Sequence, residues 1–232
     1  MEVVELRREL HLVTLSFGQV YLWHDDGGLT LIDAGPAAAA GEIADAIAEI
    51  GLEKTDLKRV VLTHHHEDHV GSAAEISTWG QVTVMAHMHD APVIRGDLSA
   101  PPPNLTHAPE WERDIWDAKP DLPPAPPVRV DRELYDGDVL NFGGGARVIS
   151  VPGHTEGSIA LHLRAARVLF TGDAAANVDG KPLPGVFNVN RARTLSSFRR
   201  LAELDVETAC FGHGDPILEA AGTALRETAA TL

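Results

Sequence analysis

The sequence has little cysteine, little positive charge and no long apolar run, and each of these shortages argues against some classes of protein. Cys210 is the only cysteine among 232 residues, which excludes an intramolecular disulfide. The absence of disulfides is typical of proteins in a reducing compartment. Only 19 Lys and Arg stand against 34 Asp and Glu, and the formal net charge of −15 disfavours nucleic acid as a partner. No apolar stretch is long enough to span a bilayer, and the amino terminus mixes charged with apolar residues, unlike a signal peptide. We therefore expect a cytoplasmic protein that acts on a small molecule, without a nucleic-acid or membrane partner; the sequence indicates no oligomeric state.

Strand and helix patterns alternate along the chain. Two short runs, residues 19–24 and 28–35, are separated by a Gly27-Gly28 turn and predict a hairpin. The isoleucines of residues 37–51 recur at helical spacing before a terminal glycine, which predicts an amphipathic helix. Strand, helix and strand patterns follow over residues 57–63, 72–79 and 81–87, and the second half carries further strands and two helical stretches, 195–204 and 217–232. This alternation predicts an α/β sandwich, and we expect residues 1–232 to form one domain.

Residues 91–127 form an insert of different composition. Ten of the chain's 15 prolines lie there, so regular structure is not expected over most of it. Trp111 and Trp116 predict a short helical turn that docks on an apolar surface. Long irregular segments in compact domains are typically lids or binding loops. We interpret the insert as a lid, with a structural or dimerisation element as the alternative.

The stretch "HHHEDH", residues 64–69, places unusual chemistry directly after a predicted strand. Side chains two positions apart point the same way along a strand, so His64 and His66 are expected to converge. Asp68 and His69 fall where the chain turns toward a helix, and can face the same cavity from another direction. Imidazoles and a carboxylate that converge in this way suit zinc or a similar metal.

Three further polar residues follow predicted strands in the second half, each beside a glycine that lets the backbone turn. They are His154 in "VPGHTEGS", Asp173 in "VLFTGD" and His213 in "CFGHGD". The carboxyl ends of strands form the active-site rim in α/β proteins, so these residues are expected to join the histidine-rich stretch.

Together these motifs closely resemble the metallo-β-lactamase fold superfamily, in its glyoxalase II-like and lactonase-like branch; "LIDAG" with Asp33 matches its amino-terminal strands. The resemblance implies a four-layer αββα sandwich with two metal ions at one edge of the sheets. Carried over by position, one metal is held by His64, His66 and His154, the other by Asp68, His69 and His213, and both by a bridging Asp173. Asp33 resembles a buried carboxylate that orients ligands, with a plain turn carboxylate as the alternative.

The resemblance also implies a hydrolase. Two divalent cations, zinc first and manganese, iron or cobalt as alternatives, lower the pKa of a shared water to about 7, so that a bridging hydroxide attacks a carbonyl ester, thioester, lactone or amide. Asp68 is expected to move a proton toward the leaving group and Asp173 to hold the nucleophile in place. Two other functions stay open: a persulfide dioxygenase-like oxidoreductase with a single iron, and a noncatalytic metal- or ligand-binding protein.

The sequence indicates the identity of the substrate less clearly than the reaction class. Residues 174–190 are rich in turn formers and are expected to line the pocket as a loop, with Phe187, Asn188 and Asn190 as candidate substrate contacts or loop anchors. Only 19 residues follow His213, which is shorter than the helical substrate domain of glyoxalase II. No tyrosine follows Asp173 closely, unlike in the familiar homoserine-lactone lactonases.

Overall fold

Two β-sheets lie at the centre of the computed structural model, which describes residues 1–232. Seven strands form the first sheet in chain order: β1 Glu2–Arg7, β2 Leu10–Thr14, β3 Gln19–Asp25, β4 Gly28–Ile32, β5 Leu57–Val61, β6 Thr83–His87 and β7 Arg132–Leu134. Its first four strands are antiparallel, and from β4 to β7 neighbouring strands run parallel. The connection from β4 to β5 is therefore a crossover, as parallel pairing requires.

Five strands of the second half form the second sheet. They are β8 Val139–Leu140, β9 Ala146–Ser150, β10 Ile159–Leu163, β11 Val168–Phe170 and β14 Thr208–Cys210. The order across this sheet is β14-β11-β10-β9-β8, and only β11 and β14 pair in parallel. A separate antiparallel hairpin joins β12 Ala175–Val178 to β13 Lys181–Pro184.

Seven α-helices accompany the sheets. They are α1 Ala40–Glu49, α2 Glu67–Val70, α3 Ala73–Ile76, α4 Ala91–Ile94, α5 Glu110–Ala118, α6 Arg191–Ala202 and α7 Ala221–Ala229. Asn190 begins α6 by accepting a hydrogen bond from the backbone N–H of Arg193, which satisfies a donor that the first turn leaves free. None of the helices has the length and apolar character needed to cross a bilayer.

The side chains divide into three buried clusters, and these clusters define the layers. Alternate residues of β3 face opposite sides: Leu22 packs toward α1, whereas Tyr21 and Trp23 pack against the second sheet. On the far side of the second sheet, Phe198 of α6 and Leu225 of α7 bury its outer face. The order of layers is helix, sheet, sheet, helix, so the predicted αββα sandwich is confirmed.

The sequence predictions differ from the structure over residues 174–190 and 72–79. The loop predicted over residues 174–190 contains the β12–β13 hairpin, because turn formers at Asp179 and Gly180 reverse the chain between two extended segments. The helix predicted over residues 72–79 is only the single turn of α3. Within the insert the structure agrees with the prediction: only α4 and α5 are regular, both tryptophans lie on α5, and residues 119–127 are neither helix nor strand.

Candidate metal centre

The seven predicted ligands come together at one edge of the two sheets. His64 and His66 follow β5 and His154 follows β9, and they form one group. Asp68 and His69 lie on α2 and meet His213, which follows β14, in a second group. Asp173, after β11, stands between the two groups. Within each group the candidate ligand atoms all lie within 4.8 Å of one another.

Three ring nitrogens converge in the first group. His154 Nε2 lies 2.9 Å from His66 Nδ1 and 3.2 Å from His64 Nε2, and the latter two nitrogens are 3.1 Å apart. Tetrahedral ligands on zinc at about 2.0–2.1 Å stand roughly 3.3 Å apart, close to this triangle. Ring nitrogens at these separations can share a proton or a cation.

The second group mixes imidazole with carboxylate. His213 Nε2 lies 3.0 Å from Asp68 Oδ2, and His69 Nε2 lies 3.5 Å from the same oxygen. Asp173 reaches both groups, because its Oδ1 is 3.4 Å from His69 Nε2 and its Oδ2 is 3.6 Å from His154 Nε2. One carboxylate oriented in this way can bind two cations at once.

Two buried atoms lack any hydrogen-bond partner in this cluster: His69 Nε2 and Asp173 Oδ1. An unpartnered buried polar atom costs about 1–3 kcal/mol, so a native structure rarely leaves two of them face to face. A divalent cation satisfies both atoms, and a set of imidazole and carboxylate ligands suits zinc, manganese, iron and cobalt. The residues present therefore fit a metal centre.

The pKa values of the histidines shift in opposite directions in the two groups. Burial, followed by repulsion from neighbouring imidazoles, holds the pKa of His64 and His66 well below the usual value. Burial also lowers the pKa of His154. All three rings are therefore neutral at pH 7, which is the form that binds a metal.

The second group behaves in the opposite way. Asp173 raises the pKa of His213 to about 10, and the carboxylates around His69 raise its pKa well above the usual value although burial opposes this. The pKa of Asp68 and of Asp173 is correspondingly lowered: burial opposes the charge, but the adjacent imidazoles outweigh it. Without a cation these rings hold protons, so cation binding at this group displaces them.

Comparison with known proteins agrees with this geometry. The family model described as "Metallo-beta-lactamase superfamily" matches residues 13–213. The chain belongs to the metallo-beta-lactamase superfamily. That match includes all seven predicted ligands and both sheets, apart from β1 and most of β2.

Individual members of the superfamily are similar over most of the chain. "Probable metallo-hydrolase YflN" of Bacillus subtilis is 28% identical, covering 92% of this chain and 86% of its own length. "Hydroxyacylglutathione hydrolase" of Cereibacter sphaeroides is 33% identical over 88% of this chain, which spans 66% of that relative. A metallo-beta-lactamase family protein from Thermus thermophilus superposes with a TM-score of 0.71 at 27% identity, over 97% of this chain and 80% of that one.

Asp33 supports the candidate metal centre by hydrogen bonds to Thr63 and His69. Its buried carboxylate accepts hydrogen bonds from the Thr63 backbone N–H (2.7 Å) and the Thr63 hydroxyl (2.8 Å). It also lies 2.8 Å from His69 Nδ1, which directs His69 Nε2 at Asp68 and Asp173. Asp33 has a left-handed backbone with φ of 62°, which brings the carboxylate under the site. These contacts exceed those of a plain turn carboxylate.

The candidate substrate contacts lie beside the site, but their polar atoms are engaged in the loop. Asn188 is buried, donates to the Gly185 carbonyl at 2.7 Å and accepts from the Thr194 hydroxyl at 2.7 Å. Asn190 caps α6. The geometry therefore favours loop anchoring for both asparagines. Phe187 stacks edge-on against Trp116 of the insert, and its role in substrate contact stays a prediction.

Gly212 is a site residue whose role the sequence did not indicate. The motif predicts a turn glycine, but the Gly212 backbone is not left-handed; its neighbour Gly214 has that conformation, with φ of 88°. A Cβ at Gly212 would overlap Asp173 Oδ1 and would lie 2.8 Å from His69 Cε1. Gly212 is therefore needed for close approach to two candidate ligands. Only the three-dimensional neighbours reveal this, because "FGHGD" contains two glycines of different function.

Proposed function

We propose that this protein is a metal-dependent hydrolase with two divalent cations, which acts on a carbonyl ester, thioester, lactone or amide of a small molecule. The observation that carries the proposal is the convergence of seven ligand side chains with two unpartnered buried atoms between them. Two similar members of the superfamily are named as hydrolases, which supports the reaction class. Because the chain spans about two thirds of the hydroxyacylglutathione hydrolases, their substrate is not transferred with it.

The two groups support a division of the ligands between two cations. The first cation would be held by His64, His66 and His154, the second by Asp68, His69 and His213, with Asp173 contacting both. Zinc is the first choice, and manganese, iron or cobalt accept the same atoms. The His213 side chain is 38% exposed, whereas those of His64, His69 and His154 are at most 2% exposed. Substrate would therefore approach from the side of His213.

When bound, the cations supply a water that is deprotonated near neutral pH and a positive charge beside the scissile carbonyl. The chain's own residues do the rest. Asp68 borders the open side with a 12% exposed side chain, so it can pass a proton between the attacking water and the leaving group. Asp173 fixes the distance between the two groups, and Asp33 fixes the ring of His69.

The insert is proposed as a lid over the candidate site. Its helix α5 is fastened by Glu112, which is only 1% exposed, accepts from the Phe187 backbone N–H at 2.8 Å and pairs with Arg191 at 2.5 Å. Next to Phe187, the Val186 carbonyl contacts His154 Nδ1 at 2.8 Å. Phe187 and Val186 therefore link Glu112 of the insert to the candidate ligand His154. Replacing Glu112 by Gln should raise KM more than it lowers kcat, and unchanged kinetics in a folded E112Q protein would oppose the lid.

Metal analysis and a substrate panel test the function. We expect about two zinc-like equivalents per chain and turnover on at least one ester, thioester, lactone or lactam. Asp173→Ala should lower turnover by orders of magnitude in a folded protein, whereas Asp45→Asn, an exposed change on α1, should not. One iron with oxygen consumption would indicate a dioxygenase instead. Full metal loading without turnover on the panel would indicate a binding protein.

A further inference from the structure

A second buried carboxylate, Asp90, lies behind the first ligand group and is not among the candidate ligands. It follows β6 and begins α4, yet its side chain makes no hydrogen bond to its own helix. An aspartate at this position ordinarily caps the helix that it begins. Asp90 is 2% exposed, and no lysine or arginine pairs with it. Its carboxylate is therefore used elsewhere.

Three hydrogen bonds account for the Asp90 carboxylate, and all of them reach the loops that carry the first ligand group. Oδ2 accepts from the His65 backbone N–H at 3.0 Å and from the Thr155 hydroxyl at 2.7 Å. Oδ1 accepts from the Gly157 backbone N–H at 2.7 Å. His65 stands between His64 and His66 in the chain, and Thr155 directly follows His154. Asp90 thus joins two segments that are about ninety residues apart in sequence.

The surroundings are shaped for this contact. Thr155 is held in turn by the Ser158 hydroxyl, at 2.8 Å from its own hydroxyl and 3.0 Å from its backbone nitrogen. A Cβ at Gly157 would lie 2.5 Å from Asp90 Oδ1, so only glycine permits this approach without displacement. The three hydrogen-bond donors and the absence of a side chain at Gly157 together accommodate the buried Asp90 carboxylate.

We infer that Asp90 is a positioning residue that sets the separation of His64, His66 and His154 by bracing the loop after β5 against the loop after β9. The inference rests on the proposed metal centre and adds a residue to its support. The three ring nitrogens stand 2.9–3.2 Å apart, and they come from two separate loops. A shift of one loop by about 1 Å would leave a cation with two ligands of the three, because coordination distances tolerate only about 0.2 Å.

Asp90→Asn is the informative substitution. A carboxylate accepts at both oxygens, whereas an amide has one acceptor and one donor. Whichever way the amide turns, its NH2 group faces either the Gly157 N–H or the donors of His65 and Thr155. Residue 90 therefore loses at least one of its three hydrogen bonds, while the volume of its side chain is unchanged. Outer supports of this kind typically change metal affinity 10- to 100-fold.

The matched control is Asp25→Asn. Asp25 is also a loop-joining carboxylate with three donors, from Trp23 Nε1 (2.7 Å), the Gly27 N–H (2.7 Å) and the Gly143 N–H (2.6 Å). It lies away from the candidate ligands, at the turn between β3 and β4. A merely structural role for Asp90 would give the two variants the same phenotype.

The experiment titrates Co²⁺ into metal-free protein and follows both the affinities and the visible absorption spectrum. We expect wild type and D25N to bind two equivalents alike, and D90N to bind one equivalent 10- to 100-fold more weakly with an altered spectrum. Thr155→Val should weaken the same equivalent and Thr155→Ser should restore it, which keeps the test available if D90N does not fold. Wild-type affinities and spectrum in folded D90N, or in T155V, would overturn the assignment. A wild-type protein that binds no metal would overturn the proposed function itself.

Discussion

Asp33→Asn should separate metal binding from folding at the second ligand group. Asp33 Oδ1 accepts from the Thr63 N–H, and Oδ2 lies 2.8 Å from both the Thr63 hydroxyl and His69 Nδ1. An asparagine keeps the volume but places an NH2 group at one of these two oxygens. At Oδ1 it faces the Thr63 N–H. At Oδ2 it donates to His69 Nδ1, so that the neutral ring must carry its proton on Nε2 instead of Nδ1.

The magnitude follows from the bonds that are lost. A hydrogen bond to a charged group contributes about 1.5–3 kcal/mol, so one lost bond should lower the free energy of unfolding by that amount. A chain of this length loses about 2–4 °C of Tm per kcal/mol, which gives a decrease of roughly 3–12 °C. A proton on His69 Nε2 points at Asp68 and Asp173, where a cation would bind. Affinity for one metal equivalent should therefore fall about 10- to 100-fold.

Zinc competition with a chromophoric chelator, together with thermal denaturation of the metal-free protein, measures the two effects separately. Asp45→Asn, on the exposed face of α1, serves as the control and should behave as wild type. If D33N is less stable but binds both zinc equivalents with wild-type affinity, Asp33 is a fold residue only. The reasoning about the ring proton of His69 would then be refuted.

Two other consequences of the site can be measured. Gly212→Ala should abolish turnover and weaken zinc binding without unfolding, because the new Cβ would overlap Asp173 Oδ1; Gly41→Ala, where a Cβ meets nothing, is the control, and an active G212A would contradict the geometry. Binding of two cations at pH 7 should release protons, because the raised pKa of His213, about 10, and of His69 keeps both rings protonated in the metal-free protein. Calorimetry in buffers of different ionisation enthalpy counts these protons, and affinity should fall as the pH is lowered. No proton release would refute the charge assignment.

The layers of the fold were predictable because period-two and helical patterns are local. The hairpin of β3 and β4 follows from a Gly-Gly turn between two apolar runs, and α1 from three isoleucines at helical spacing. The β12–β13 hairpin was missed because each strand has only four residues and β13 contains two prolines, which are uncommon in strands. Its two-residue turn, Asp179-Gly180, was a readable signal.

The convergence of the candidate ligands could be predicted for a different reason: they are chemically unusual residues in segments that follow strands, and strand ends meet at one edge. The residues that support them carry no such mark. Asp90 and Glu112 belong to no motif of the sequence, and Gly212 is one of the two glycines that flank His213. Their roles depend on partners 25 to 79 residues away, or on the space that a missing side chain leaves. A candidate ligand can be recognised from its residue type, but a supporting residue can be recognised only from its contacts in the structure. Mutations chosen from the sequence alone would therefore miss the supporting residues.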